Sequence, residues 1–232
     1  MESFGGFTGK FFRDRLLSER NREAERFFRE ISENPKASGV GRKISKRSGF
    51  MRISIREWKK SDAGELAAAL NNKKILDNLR DGIPYPYTEK DAEEFIFSIL
   101  GAEKDSQYSR AITADGKVIG SVGVFRKDNI HRRTAEIGYY IAEEYWGLGI
   151  MTEVVRKICG YVFENTDIIR IFAEPFSYNT ASCRVLEKAG FEFEGTLRKN
   201  AEKNGKILDM KMYSLIKKSP VSPASKAAGS IQ

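Results

Sequence analysis

The sequence contains few of the residues on which disulfide-bonded, metal-binding and membrane-spanning proteins depend. Its 232 residues include two cysteines, Cys159 and Cys183, and a single histidine, His131. Two cysteines do not form a disulfide framework, and with one distant histidine they do not supply an ordinary zinc site. No apolar stretch approaches the roughly 18 residues of a membrane span, and the charged N-terminus has no secretory apolar core. We therefore expect a reduced, cytoplasmic protein without a metal.

Basic residues outnumber acidic ones at both ends of the chain, and this excess accounts for the formal net charge of +8. Residues 1–50 contain 12 Lys or Arg against 7 Asp or Glu, and residues 217–232 contain three lysines and no acid. Residues 51–216 carry 25 basic and 25 acidic side chains and are formally neutral. Because the basic excess belongs to the ends, bulk charge does not indicate nucleic-acid or membrane binding by the central segment.

The chain divides into an extension, a central domain and a tail. Residues 1–50 are basic, with a modestly amphipathic helical pattern that is followed by a Gly/Ser-rich linker at 35–49. Three explanations of this extension stay open: translation begins at Met51, the extension contacts a partner or a membrane surface, or it is disordered without a function. Residues 51–216 are expected to form one domain, and residues 217–232 a disordered tail.

Strand and helix patterns alternate along the central domain in the order β-α-α-β-β-β-α-β-α-β-β. The Ala-Asp-Gly turn at 114–116 is typical of a hairpin, Thr88 with Asp91 predicts a capping box, and Ser61 or Asp62 is expected to cap the first helix. We predict strands at 53–57, 108–113, 117–125, 134–141, 168–173, 191–197 and 207–215, and helices at 61–72, 89–100, 149–164 and 180–189. Hairpins combined with one β-α-β crossover indicate an α/β domain with a mixed, mostly antiparallel sheet.

The most informative segment is a strand-turn-helix pattern at 135–153, AEIGYYIAEEYWGLGIMTE. Gly147 and Gly149 let a ligand approach the backbone closely, and the first helical turn leaves N–H groups without intrahelical partners. The helix dipole adds to these groups, so the turn is suited to a pyrophosphate. A Rossmann fingerprint would need a third glycine where Thr152 stands, and no P-loop Lys-Ser/Thr pair is present. Taken alone, the two glycines are explained equally well by a tight turn.

The run W-G-L-G-I-M-T-E at 146–153 resembles the acetyl-CoA pyrophosphate loop of GNAT N-acetyltransferases, in the branch that includes ribosomal-protein-alanine N-acetyltransferases. Further blocks of this branch occur in order along the chain: PYPYTEKDAEEFI, KVIGSVGVF, AEIGYYI, NTASCRVLEKAGF, and EGTLRKN with NGKILDMKMYSLI. The similarity covers about residues 51–216. It implies a GNAT fold, with a splayed parallel strand pair at the acetyl-CoA site, and direct transfer of acetyl from acetyl-CoA to a primary amine.

The resemblance assigns the cofactor contacts to this loop and to the strand before it. Backbone N–H groups would bind the pyrophosphate, and the loop residues concerned are Trp146, Gly147, Leu148, Gly149, Ile150, Met151 and Thr152. The family usually has Gln or Arg at position 146 and Gly or Ala at position 151, so side-chain contacts are in doubt but backbone contacts are not. Pantetheine would add to the free strand edge at Tyr139 and Ile141, where an N–H would stabilise the thioester oxyanion. Asn179 would contact pantetheine, cap its helix, or do both.

The resemblance also implies two side chains for the chemistry. Glu136 matches the glutamate that is often assigned as general base, and its alternative role is a strand-end salt bridge. Many GNAT enzymes have a tyrosine seven residues after Asn179 that reprotonates the leaving thiolate, but Leu186 stands there. Ser182 is the expected substitute, with water as the fallback. Its alternative role is to bond to the backbone in the first turn of its helix.

The acceptor is the least determined part of the prediction. Tyr85 and Tyr87 belong to a loop that the family places over the substrate, although packing alone would also explain them. A protein N-terminal amine and a small-molecule amine fit the same scaffold, because acceptor sites are built from loops. We expect acetyl-CoA as co-substrate, no nucleic-acid or membrane partner, and a monomer or a homodimer. The alternative is a catalytically silent GNAT-fold module that binds acetyl-CoA or a partner.

Overall fold

A computed structural model describes residues 44–46, 49–103 and 105–218, with side chains from Met51 onward. The helical pattern predicted within residues 1–50 and the tail from 219 lie outside the described residues. The described strands are β1 (Ile44–Lys46), β2 (Gly49–Met51), β3 (Ile53–Arg56), β4 (Gln107–Ala114), β5 (Lys117–Arg126), β6 (Thr134–Ile141), β7 (Arg170–Ala173), β8 (Glu192–Lys203) and β9 (Lys206–Ile216). The described α-helices are α1 (Ala63–Leu70), α2 (Lys73–Leu76), α3 (Glu89–Leu100), α4 (Ile150–Asn165) and α5 (Thr180–Ala189).

Seven strands form one mixed sheet in the order β3-β4-β5-β6-β7-β9-β8. Every neighbouring pair is antiparallel except β6 and β7, which are parallel and are connected through α4. The α/β architecture with a mostly antiparallel sheet and one parallel pair is therefore confirmed. Strands β1 and β2 form a separate antiparallel hairpin, so the end of the segment that the sequence predicts as a linker is paired.

Helices cover both faces of the sheet, and the alternation of side chains along β6 shows which residue faces which layer. Ala135, Ile137 and Ile141 lie in a core that also contains α4 and α5, whereas Tyr140 packs against the core built on α1 and α3. Successive strand residues point to opposite faces, so odd-numbered residues of β6 face α4 and α5. Even-numbered residues, including Glu136, face the layer that contains α1 and α3.

Local signals in the sequence are confirmed where a side chain bonds to the nearby backbone. The Thr88 hydroxyl accepts from the Asp91 N–H, and the Asp91 carboxylate accepts from the Thr88 N–H, which completes the predicted capping box. Asp115 and Gly116 both have positive φ, 50° and 90°, in the two-residue turn between β4 and β5. This turn twists in the same sense as the strands that it joins.

The predicted cap of the first helix is wrong. Asp62 precedes α1, but its side chain makes no cap hydrogen bond. The carboxylate instead accepts from both terminal nitrogens of Arg56, at 2.7 and 2.9 Å, and from the Lys59 N–H at 2.8 Å. A bidentate partner six residues earlier outcompetes the helix N–H groups, because an Arg–carboxylate pair forms two charge-assisted bonds. The helix also ends at Leu70, and α2 is a separate short helix that the sequence pattern did not reveal.

We predict that Asp62→Asn lowers the free energy of unfolding by about 2 kcal/mol, because it leaves Arg56 without its buried carboxylate partner. Burial alone would raise the pKa of Asp62, but Arg56 and Lys59 outweigh it and the pKa lies below the ordinary 3.8. The stabilisation is therefore complete above about pH 4 and is lost as the pH falls through the lowered pKa. Urea unfolding of both proteins from pH 7 to pH 2 measures this.

The matched control is Glu94→Gln, since the side chains of Glu94 and its partner Lys90 are 70% and 82% exposed. Exposed ion pairs contribute little, so this variant should unfold like the wild type. Equal losses in the two variants would contradict the role given to Asp62.

Candidate active site

The central feature of the site is a gap between β6 and β7. The two strands pair from Thr134 opposite Arg170 to Glu136 opposite Phe172. Strand β6 then continues to Ile141, whereas β7 ends at Ala173. The last five residues of β6 therefore have a partner on the β5 side and an open edge on the β7 side. Such an edge can take up an extended, amide-containing chain by main-chain hydrogen bonds.

The direction of the peptide groups identifies which of them face the gap. Thr134 and Ala142 bond to β5 through the Lys127 N–H and the Ile119 carbonyl, at 2.9 and 2.8 Å. Peptide groups alternate direction along a strand, so those of even-numbered residues point to β5 and those of odd-numbered residues point to β7. The peptide N–H and carbonyl of Tyr139 therefore face the gap.

The turn at the end of β6 has the backbone that a phosphate site requires. Gly147 and Gly149 have φ angles of 73° and 76°, in the left-handed region that residues other than glycine rarely adopt. A Cβ atom at either position would meet no other atom within 4 Å, so the space above the turn is open. Gly149 directly precedes the first residue of α4, Ile150, and the free N–H groups of that first turn point toward this space.

Trp146 ties this turn to the strand. Its indole N–H donates to the Ile141 carbonyl at 2.9 Å, and the side chain remains 45% exposed. The bond occupies the gap-facing carbonyl of Ile141, whereas the N–H of Ile141 and both peptide groups of Tyr139 remain available to a chain in the gap. Met151 and Thr152 are buried. The Met151 side chain therefore packs in the core and does not contact a ligand in the turn.

Glu136 lies at the point where β6 and β7 diverge, on the face opposite α4 and α5. Its carboxylate is in contact with the Arg80 guanidinium and accepts from Lys127 Nζ at 2.9 Å. Arg80 also reaches Glu174, just beyond β7, with 3.5 Å between Nη2 and Oε2. Glu136 therefore forms the salt bridge that the sequence analysis gives as the alternative to a catalytic role. This salt bridge also places Arg80 in the site.

Ser182 lies on the other face of the sheet, in the first turn of α5. The Asn179 side chain accepts from the Ser182 N–H at 3.1 Å, which makes Asn179 the helix cap. The Ser182 hydroxyl is 2.9 Å from the hydroxyl of Tyr139. Glu136 and Ser182 thus approach the gap from opposite faces, as a base and a thiolate-stabilising group would in direct transfer.

The two tyrosines of the acceptor loop have different environments. Tyr87 is 6% exposed and packs in the core with α1 and α3, where burial raises the pKa of its hydroxyl to about 12. Tyr85 is 63% exposed and lines a cleft of about 780 Å³ together with Asn72 and Glu143. This cleft lies beyond the end of β6, roughly 20 Å along the chain from Glu136 at 3.3 Å per residue. Packing therefore accounts for Tyr87, and an acceptor role for Tyr85 stays a prediction.

A family model described as an acetyltransferase (GNAT) domain matches residues 52–192. The chain belongs to the GNAT acetyltransferase family. It is 40% identical over 116 residues to the probable N-acetyltransferase YjcK of Bacillus subtilis strain 168. That match covers 49% of this chain and 64% of the relative, so the chain spans less than two thirds of the relative's length.

Solved structures of the same family share the fold. A RimL ribosomal L7/L12 α-N-protein acetyltransferase in complex with coenzyme A has a TM-score of 0.64 and 23% identity, with 71% of this chain and 93% of that chain covered. The spermidine N-acetyltransferase of Vibrio cholerae in complex with CoA and spermine has a TM-score of 0.60 and 22% identity, with 71% and 95% covered. Two proteins with different named acceptors are thus about equally similar to this chain, which confirms the GNAT fold but does not select an acceptor.

The site side chains that come from segments distant in the chain were not predicted from the sequence. Arg80 comes from the segment after α2, 56 residues before Glu136, and no local pattern links the two. Tyr139 was predicted to act through its backbone, and the structure adds its hydroxyl. Among the described residues, no helix is long and apolar enough to cross a membrane, and no cluster of three or more His, Cys, Asp or Glu could hold a metal ion.

We predict that Gly149→Glu abolishes acetyl-CoA binding while the protein stays folded. A glutamate would place a negative charge and bulk in the open space above the turn, where the free N–H groups otherwise face an anion. Isothermal titration of acetyl-CoA measures the affinity, and circular dichroism measures the fold.

Gly205→Glu is the matched control, because Gly205 has a similar φ of 72° and equally open space but lies in the β8–β9 turn. It introduces the same backbone strain and the same charge away from α4. Wild-type affinity is expected for this control. Unchanged affinity in Gly149→Glu would show that the turn is not the pyrophosphate site.

Proposed function

We propose that this GNAT protein is an N-acetyltransferase that transfers acetyl from acetyl-CoA directly to a primary amine. The observation that carries the proposal is the gap between β6 and β7, which has Glu136 on one face, Ser182 on the other, and the glycine turn at its end. Acetyl-CoA would supply the activated acetyl group as a thioester. The residues of this chain would bind it, orient it and manage the protons.

The residues fit such a co-substrate at both ends. The open space at Gly147 and Gly149 with the first turn of α4 suits a pyrophosphate, and the peptide groups that face the gap suit the two amides of pantetheine. The N–H of Tyr139 faces the gap and is the donor that we assign to the thioester oxygen. Main-chain groups make all of these contacts, so the unusual Trp146 and Met151 do not oppose them.

Proton removal at the amine would fall to Glu136. A primary amine is mostly protonated at neutral pH, and only its neutral form attacks a carbonyl carbon. The Glu136 carboxylate lies where the strands diverge, beside the open edge, and can take the proton directly or through a water molecule. Arg80 and Lys127 must first release it, at least in part, because both of its oxygens are engaged.

The charge around the gap favours an acceptor with a single amine, such as the α-amine of a protein N-terminus. The two carboxylates at the divergence, Glu136 and Glu174, are matched by the two cations Arg80 and Lys127. A polyamine would gain little net attraction from a compensated site, since its binding depends on unpaired carboxylates.

One observation supports the second candidate, a silent module that binds acetyl-CoA without turnover. Both oxygens of Glu136 are held by cations, as in a structural ion pair. Titration of acetyl-CoA followed by a free-thiol assay across peptides and small amines separates the two functions. The enzyme predicts binding and thiol release, with tetrapeptides preferred to spermidine. Binding without release from any amine would instead favour the module, and no binding would contradict both.

We predict that Glu136→Gln lowers kcat by about 100-fold, the scale of a lost general base, and leaves the affinity for acetyl-CoA unchanged. Rates are measured from pH 6 to pH 9 with the best amine. Glu194→Gln is the control, because Glu194 forms a bidentate pair with Arg170 on the same sheet and has no proposed role in transfer. Wild-type rates for Glu136→Gln across this pH range would show that Glu136 is not the general base and that its role is the structural salt bridge.

A further inference from the structure

Helix α5 has no tyrosine on the face of the sheet that it covers, but strand β6 places the hydroxyl of Tyr139 there. The position on α5 where many GNAT enzymes have a tyrosine holds Leu186, which is fully buried. The Tyr139 hydroxyl instead lies 2.9 Å from the Ser182 hydroxyl and 3.3 Å from the Ser182 carbonyl. Both hydroxyls are on the α4 and α5 side of β6, and the peptide of Tyr139 itself faces the gap.

We infer that Tyr139 is a positioning residue that orients the Ser182 hydroxyl toward the sulfur of the leaving thiolate. The inference rests on the proposed function, since it concerns the acetyl transfer at the same gap. It assigns the Tyr139 side chain a role separate from that of its backbone.

The hydrogen-bond geometry around Ser182 supports this role. Its backbone is fixed by the Asn179 cap at 3.1 Å, but a serine hydroxyl still rotates freely and can bond back to its own helix. Either hydroxyl can be the donor in the bond between Tyr139 and Ser182 Oγ. With Tyr139 as the donor, which is the arrangement that we infer, the serine proton is free to point toward the gap.

Proton affinities indicate that Tyr139 keeps its own proton. Burial raises the pKa of the Tyr139 hydroxyl above its ordinary value. A thiol resembling free cysteine has a pKa of about 8.5, so the thiolate is far too weak a base to remove the tyrosine proton. Tyr139 therefore acts through Ser182 and is not itself the acid.

The reaction balances with these roles. The amine nitrogen forms a bond to the acetyl carbon, the carbon–sulfur bond breaks, and sulfur leaves with the electron pair. The proton that the amine loses goes to Glu136 and then to solvent. The Ser182 hydroxyl donates a hydrogen bond to the thiolate, which takes its proton from solvent after it leaves the site.

A double-mutant cycle tests the inference. We expect Tyr139→Phe and Ser182→Ala each to lower kcat by about tenfold, with the KM for the amine unchanged, as for loss of an oriented hydrogen bond to the leaving group. The double variant should be no slower than Ser182→Ala, because Tyr139 has nothing to orient once the serine hydroxyl is gone. A hundredfold loss in the double variant, or a wild-type rate for Tyr139→Phe, would overturn the inference.

Tyr213→Phe is the matched control for a purely structural effect. Tyr213 is a buried tyrosine of β9 whose hydroxyl donates to Glu187 at 2.8 Å, also on α5 but away from its first turn. Its loss should lower the melting temperature without changing kcat more than twofold. A tenfold loss of kcat in this control would mean that any loosening of α5 reproduces the effect of Tyr139→Phe.

A second measurement does not depend on turnover. Ultraviolet titration of the thiolate in the CoA complex, with the free protein subtracted, gives the pKa of the bound thiol. The inference predicts that this pKa rises equally in Tyr139→Phe and Ser182→Ala and no further in the double variant. Equal pKa values in the wild type and Tyr139→Phe would contradict the inference even if no amine were acetylated, whereas absent turnover alone would count only against the proposed function.

Discussion

The site depends on one interruption of backbone pairing. After Glu136 and Phe172 the parallel strands β6 and β7 separate, and the peptide groups of the following residues of β6 lose a partner on one side. Buried or half-buried peptide groups need hydrogen bonds, so an open edge inside a sheet is costly unless something completes it. The sheet, the two helix layers and the glycine turn all serve to hold this edge in place. The two amides of the proposed co-substrate would then hydrogen-bond to the open part of β6, as β7 does to the residues before the gap.

The two faces of the gap have different chemistry because they belong to different layers. On the face toward α1 and α3, the negative charge of the Glu136 carboxylate is paired with the positive charges of Arg80 and Lys127. The face toward α4 and α5 is mostly apolar, with the hydroxyls of Tyr139 and Ser182 paired to each other. In the proposed transfer, proton removal by Glu136 and thiolate stabilisation by Ser182 would therefore act from opposite faces of the sheet.

Local sequence patterns predicted the order of the elements, the capping box at Thr88 and the glycine turn, since each of these depends on neighbouring residues. Asp62 was predicted to cap a helix, but its carboxylate pairs with Arg56, a competing partner six residues earlier. The sequence could not reveal contacts between distant segments. The Arg80–Glu136 pair and the hydroxyl contact of Tyr139 with Ser182 join segments 56 and 43 residues apart. The resemblance to a family made Glu136 and Ser182 candidates, and the structure shows which groups surround them.

Hydrogen–deuterium exchange of the backbone amides, with and without acetyl-CoA, tests the central claim most directly. The open edge of β6 and the glycine turn should be completed by the bound molecule, so the gap-facing N–H groups of residues 137, 139 and 141 and those at 147–152 should exchange more slowly in its presence. Amides of β4, far from the gap, serve as the internal reference and should not change. Slower exchange confined to the two segments is the predicted result. Binding of acetyl-CoA with unchanged exchange at residues 137, 139 and 141 would show that the molecule lies elsewhere and would contradict the account.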